Sequence, residues 1–118
     1  MESSTQQLAD LIGQTLVDKK ARDVVLLDIS EMTIIAEGFL LASGTSSLQV
    51  KALADAVEDK LQEERGMSPV AIEGYAAGRW IVLDYGDLLV HLFHQEDRAF
   101  YNLERLWDET VNRTTYED

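Results

Sequence analysis

Between Trp80 and Phe93 apolar and polar positions alternate on either side of Gly86-Asp87. This is the pattern of two half-buried strands joined by a two-residue turn. Glycine at the first central position supplies the positive φ that a type II′ hairpin turn needs. That turn sets Tyr85 opposite Leu88, Asp84 opposite Leu89 and Leu83 opposite Val90; Val82 then faces His91, Ile81 faces Leu92 and Trp80 faces Phe93. One side of the hairpin carries Ile81, Leu83, Leu88, Val90 and Leu92, with Tyr85 at the turn, and reads as core. The other carries Trp80, Val82, Asp84, Leu89, His91 and Phe93, and sets Asp84 and His91 on a diagonal, within reach of each other. A slip of one residue would exchange the two faces.

The same reading orders the rest of the chain. Leu8, Leu11, Ile12 and Leu16 recur at helical spacing and predict a helix near residues 5 to 20, with Lys19-Lys20 where cations suit its C-terminus. Asp23 to Ile29 is a nearly continuous apolar run and predicts a strand buried on both faces. Met32, Ile34 and Ile35, in the link from Ser30 to Glu37, are expected to tuck under, and Gly38 to Ser43 is a second strand ended by Gly44. Ser46 with Gln49 three residues on is a capping box. It opens a helix whose stripe is Val50, Leu53, Ala54, Val57 and Leu61 and which Gly66 terminates. After Pro69 a third strand runs from Val70 to Gly74, and Ala76-Ala77-Gly78 leads into the hairpin. Ala99, Phe100, Leu103, Leu106 and Trp107 give a third helix its stripe, with Glu96 and Asp97 at its N-terminal end. From Thr110 to Asp118 the chain is polar and is expected to fray, as are residues 1–4.

The order α-β-β-α-β-β-β-α predicts one α/β (α+β) domain over residues 1–118, with its core at about 8–107. It is a mixed sheet of about five strands with three flanking helices mainly on one face. A parallel crossover is expected across residues 38 to 74. The hairpin face with Trp80 and His91 would then be exposed for a partner.

Composition narrows the function. At 118 residues with 46% hydrophobic residues the chain can build a core unaided, and having no cysteine it has neither disulfides nor thiolate metal sites. No basic segment followed by an apolar run opens the chain, and no apolar run approaches a membrane span, so a soluble cytosolic protein is expected. Twenty-two acidic residues against ten scattered basic ones give a net charge of −12. That charge disfavours nucleic acid and anionic membranes and favours a basic protein partner; a role in solubility alone explains it equally well.

Three places invite a chemical reading. Gly44-Thr45-Ser46, between a strand and a helix, has anion-site geometry but lacks the spacing and lysine of a P-loop, so a tight turn feeding a cap is the stronger reading. Asp84 with His91, joined by Asp87 or Asp28, has no nucleophile in the hairpin and makes a sparse metal shell; a hydrogen-bonded pair that orients the face is preferred. His94 with Glu96 and Asp97 reads as a strand-to-helix turn. Trp80 and Phe93 stand level between two readings, aromatics stacked inside the domain and anchors of an interface. No cofactor or metal is expected.

The segments EGFLLASGTSSLQV, IEG, WIVLDYGDLLVHLF and RAFYNLERLW resemble the Iojap-related ribosomal silencing factor family, from about Leu8 to Trp107. Two positions depart from its pattern: Glu37 stands where the family usually has Asp, and Leu48-Gln49 where it usually has Arg-His or Arg-Gln. The resemblance implies a nucleotidyltransferase-like fold. It also implies binding to the large ribosomal subunit through that subunit's fourteenth protein, with steric blockage of subunit joining and repression of translation. Organelle homologues in the family take part in large-subunit assembly. Carried onto this chain, the family's hairpin residues are Trp80, Asp84, Tyr85, Gly86, Asp87 and His91, and those of the closing helix motif are Arg98, Tyr101, Glu104 and Trp107. Trp80 and His91 would anchor the partner, with Asp84 orienting His91 or pairing with a partner cation; Phe100, Leu103 and Leu106 would be core. An enzyme of the nucleotidyltransferase kind is disfavoured, because the strand VAIEG offers the single acid Glu73 where paired carboxylates would be needed. A homodimer that hides the aromatic face is compatible with all of these observations.

Overall fold

The computed structural model describes residues 1–102, 105 and 112–117. Along the chain run α1 (Ser3–Asp18), β1 (Arg22–Asp28), β2 (Gly38–Gly44), α2 (Ser47–Arg65), β3 (Ala71–Glu73), β4 (Trp80–Asp84), β5 (Leu88–His94), α3 (Gln95–Tyr101) and β6 (Asn112–Tyr116). Among the described residues the six strands form one sheet in the order β3-β4-β5-β2-β1-β6. The strand pairings are antiparallel except β2 with β5. The mixed sheet with three helices is the architecture that the chain order predicts. Leu103, Glu104, Leu106 and Trp107 of the expected closing motif lie outside the described residues.

The hairpin has the predicted register at every pair from Trp80↔Phe93 to Asp84↔Leu89. Tyr85 N–H donates to Leu88 O at 3.0 Å. Gly86 takes φ +85° and Asp84 Oδ1 accepts from its N–H at 2.8 Å. The α2 stripe is also as predicted, with Val50, Leu53, Ala54, Val57 and Leu61 all buried. Ser46 Oγ accepts from Gln49 N–H at 3.0 Å, while the Gln49 side chain reaches back to Thr45 N–H at 2.7 Å. Helices α1 and α2 close over Ile81, Leu83, Tyr85, Leu88, Val90 and Leu92 together with Leu26, Leu40 and Ala42. That makes the main core, on one side of the sheet.

The passage from β2 through α2 to β3 is the expected parallel crossover: β3 shares the direction of β2 but lies at the sheet edge, with β4 and β5 between them, and the strand bonded directly in parallel to β2 is β5. Three expectations are corrected. Met32, Ile34 and Ile35 do not tuck under but are exposed. The base of their loop is pinched by Ile29 N–H to Glu37 O and by Glu37 and Gly38 N–H to Asp87 O, so the residues between project past the sheet. The polar tail does not fray over Asn112–Tyr116, which pairs antiparallel with β1. Tyr116 Oη also donates to Asp10 of α1 at 2.7 Å. Nor does the other end fray at residue 1: the Met1 ammonium lies 3.3 Å from Ser30 Oγ and 3.6 Å from Asp28.

Candidate functional site

The sheet face away from α1 and α2 is built in three rows fixed by the strand registers. The lowest runs Ala71, Asp84, Leu89, Phe39, Leu27, Arg113; the middle runs Glu73, Val82, His91, Leu41, Val25, Thr115; the top carries Trp80, Phe93 and Ser43. Pleating alone puts these side chains on one side. A second apolar cluster occupies this face, with Val25, Leu27, Ile29, Ala36, Leu41 and Phe93 buried and Phe39, Trp80 and Leu89 packed against them. The face is therefore drier than an exposed hairpin, and His91 is buried within it at 7% exposure.

Trp80 organises the aromatic end. Its ring stacks on fully buried Phe93 at 4.9 Å between centroids and meets Tyr101 of α3 at 5.1 Å. Its indole N–H donates to His91 Nδ1 at 3.1 Å. His91 in turn packs edge-on against Phe39 at 4.9 Å. Such tilted and edge-on pairs are favoured by ring quadrupoles. Beyond Tyr101 the cluster opens to solvent through Phe100, 5.1 Å from Tyr101 and 80% exposed, while Tyr101 is itself 55% exposed. An inner stack thus continues into a two-ring aromatic ledge.

The Trp80 bond assigns the imidazole proton to Nε2, which finds no hydrogen-bond partner among the described residues. Burial pushes the His91 pKa down from 6.5 to about 4, so the ring is neutral at pH 7. In the unfolded chain it gains its proton near pH 6.5, hence the unfolded state binds more protons between pH 6.5 and 4. Stability should fall as pH falls through that window, by about 3 kcal/mol in full. Denaturant unfolding at pH 7 and pH 4 checks this. His91→Gln should lose clearly less than the wild type between the two, and an equal loss would place the acid sensitivity elsewhere.

Of the ten residues that the resemblance carries over, Glu104 and Trp107 lie outside the described residues, and three of the other eight converge: Trp80, His91 and Tyr101. Asp84 does not orient His91; its carboxylate accepts from the turn at Gly86, and Trp80 takes the orienting role. Gly86 and Asp87 are exposed at the turn, beyond the lowest row. Tyr85 points to the main core, where burial, and next the charge of Glu58, raises its hydroxyl pKa to about 12. Arg98 is turned inward, donating to Asp23 O at 2.6 Å and Ser43 Oγ at 2.9 Å. With Arg98 inward, Phe100 two residues later faces about the opposite way, because each helical residue rotates by about 100°; the expected core residue is on the surface. Phe39 belongs to the cluster without having been singled out, and only its place beside Leu89 in the register reveals it.

Glu73 is exposed on β3, and among the described residues no group of three His, Cys, Asp or Glu converges to hold a metal ion. No helix among them is long and apolar enough to cross a membrane.

A family model described as ribosomal silencing factor during starvation matches residues 2–118. The protein named ribosomal silencing factor RsfS of Halalkalibacterium halodurans is 42% identical over 104 residues, which cover 88% of each chain. A crystal structure of a Chromobacterium violaceum protein superposes with a TM-score of 0.84 at 38% identity, over 92% of this chain and 88% of that one. A Mus musculus protein named mitochondrial assembly of ribosomal large subunit protein 1 is 29% identical over 100 residues, 83% of this chain and 44% of that one.

Proposed function

The chain belongs to the ribosomal silencing factor family, and from that premise we propose that it binds the large ribosomal subunit through that subunit's fourteenth protein and so prevents the small subunit from joining. The observation that carries the reading is the aromatic ledge of Phe100 and Tyr101, backed by Trp80, on a molecule of net charge −12. An aromatic ledge on a strongly acidic molecule suits a basic protein surface, the apolar contact giving affinity and the net charge giving approach rate. Trp80, Tyr101 and Phe100 would make the contact, with His91 holding Trp80 from behind. A body 34 × 34 × 28 Å across, seated on the docking face of a subunit, is large enough to obstruct its partner. Repression of translation in the cytoplasm follows from that obstruction.

Sedimentation with separated ribosomal subunits tests the proposal. Co-migration with the large subunit alone, together with slower joining of the two subunits in light scattering, is the expected result. Binding to both subunits or to neither would overturn it. The name of the mouse relative favours a second reading, a role in large-subunit assembly. In that case the chain would co-migrate with precursor particles and leave the joining rate unchanged. A homodimer closed through the aromatic face would compete with either role, and sedimentation of the protein by itself over a concentration series reports it.

A further inference from the structure

Helix α3 is seven residues long, too short to be stable on its own. Its orientation must come from what pins it. Among the described residues two pins sit on different sides of it. Arg98 reaches Asp23 O and Ser43 Oγ at the β1–β2 side. On the β4 side the guanidinium of Arg79 holds Asp97, with Nη2 at 2.6 Å from Oδ1 and Nε at 3.3 Å from Oδ2, and it touches Glu96 at 3.3 Å. Arg79 is also joined to the end of β5 by its carbonyl, which accepts from His94 N–H at 2.8 Å.

Asp97 and Tyr101 are four residues apart and so lie one above the other on a single face of α3. Arg79 and Trp80 are consecutive. The Arg79–Asp97 fork and the Trp80–Tyr101 ring contact are therefore two rungs between the same pair of elements. We infer that Arg79 is a positioning residue for the proposed binding face: its fork on Asp97 holds α3 so that Tyr101 and Phe100 stand preformed beside Trp80. Without it, among the described residues, the β4 side of α3 would keep only the Trp80–Tyr101 ring contact, and the ledge would be free to swing off Trp80. Ordering the two rings before contact spares the complex that entropy, which is how preorganisation raises affinity. The inference rests on the proposed function for its partner, but the latch can be read without one.

Arg79→Ala is the informative variant, because charge and positioning predict opposite signs. Removing a cation makes the chain more acidic and by charge alone should tighten binding to a basic partner. Loss of the latch should weaken it, about five- to tenfold. The direct readout is the nuclear Overhauser contact between the Trp80 and Tyr101 rings, recorded on the protein alone beside its unfolding midpoint. We expect the contact to be lost in Arg79→Ala, with the midpoint near wild type, and restored with affinity in the exchanged pair Arg79→Asp, Asp97→Arg. A ring contact that persists in Arg79→Ala, or affinity that stays or rises, would overturn the inference. If the wild type itself does not bind the large subunit, the proposed function fails while the ring contact still reports on the latch.

Discussion

Replacing Trp80 with alanine should cost the domain about 3 kcal/mol of stability and weaken large-subunit binding by about thirtyfold or more. The stability loss follows from what the indole covers and what it donates. It lies on fully buried Phe93 and against Tyr101, and truncation of a buried tryptophan costs about 3–5 kcal/mol. Trp80 is half-buried, which puts it at the low end of that range. Its N–H is the partner of His91 Nδ1; with the indole gone, water entering the vacated space can satisfy the imidazole, so the total stays near about 3 kcal/mol. The binding loss follows from the position of Trp80 behind the ledge, and about 2 kcal/mol for a central aromatic anchor corresponds to that thirtyfold. A domain of ordinary stability, about 5–15 kcal/mol, survives the first loss. Binding can therefore be measured on folded variant, with circular dichroism as the control. Trp80→Phe separates the two effects, since it keeps a ring on Phe93 and loses only the donor. Undiminished co-sedimentation of folded Trp80→Ala would remove Trp80 from the interface and leave it a core residue.

What the sequence made legible was whatever a local rule and a buried face both specify. The hairpin register is one case: Gly86-Asp87 sets the turn, and the apolar side of β4 and β5 admits one alignment because a slip would bury Asp84 in the main core. The α2 stripe and its cap are another. The misses share a different cause, competition between partners that spacing cannot rank. Asp84 and His91 share a face, yet Asp84 has a nearer donor in its own turn and His91 a nearer one in Trp80. Ile34 and Ile35 are apolar but sit in a loop whose ends are tied, so hydrophobicity alone could not pull them under. The polar run at Asn112–Tyr116 pairs through its backbone with an open edge of β1, and its one apolar anchor, Tyr116, reaches α1 about a hundred residues back. Such a strand is written in the sheet it joins more than in its own residues. For the proposed binding face Trp80, His91, Phe93 and Tyr101 were legible, whereas Phe39 shows only in the strand register and the inward turn of Arg98, which puts Phe100 outside, depends on the tertiary bonds to Asp23 and Ser43.

The same connection that delivers Trp80 to its place depends on a backbone approach at Gly74, and Gly74→Ala should be the costliest small substitution near the site. Gly74 has φ +81°, and a Cβ built there would collide with the carbonyl oxygen of Trp80. The first feature costs an L-residue about 1–2 kcal/mol. The second cannot be relieved by rotating a side chain, because the obstacle is backbone at the first residue of β4; relief means moving β3 or β4, at a further cost of about 1–3 kcal/mol. Together these predict about 3 kcal/mol or more of lost stability. Gly66 is the control that isolates the steric part: it too is left-handed, at φ +60°, but nothing lies within 4 Å of its Cβ position. Gly66→Ala should therefore cost only about 1 kcal/mol, the conformational part. Denaturant unfolding of the two variants side by side decides between these terms. Equal losses would mean that the chain relaxes freely around Gly74 and that β4 is held less tightly than the close approach requires. A much larger loss at Gly74, accompanied by weakened large-subunit binding in the fraction that remains folded, would show the shift reaching Trp80. A stability loss with intact binding would mean that β3 gives way and β4 keeps its register against β5.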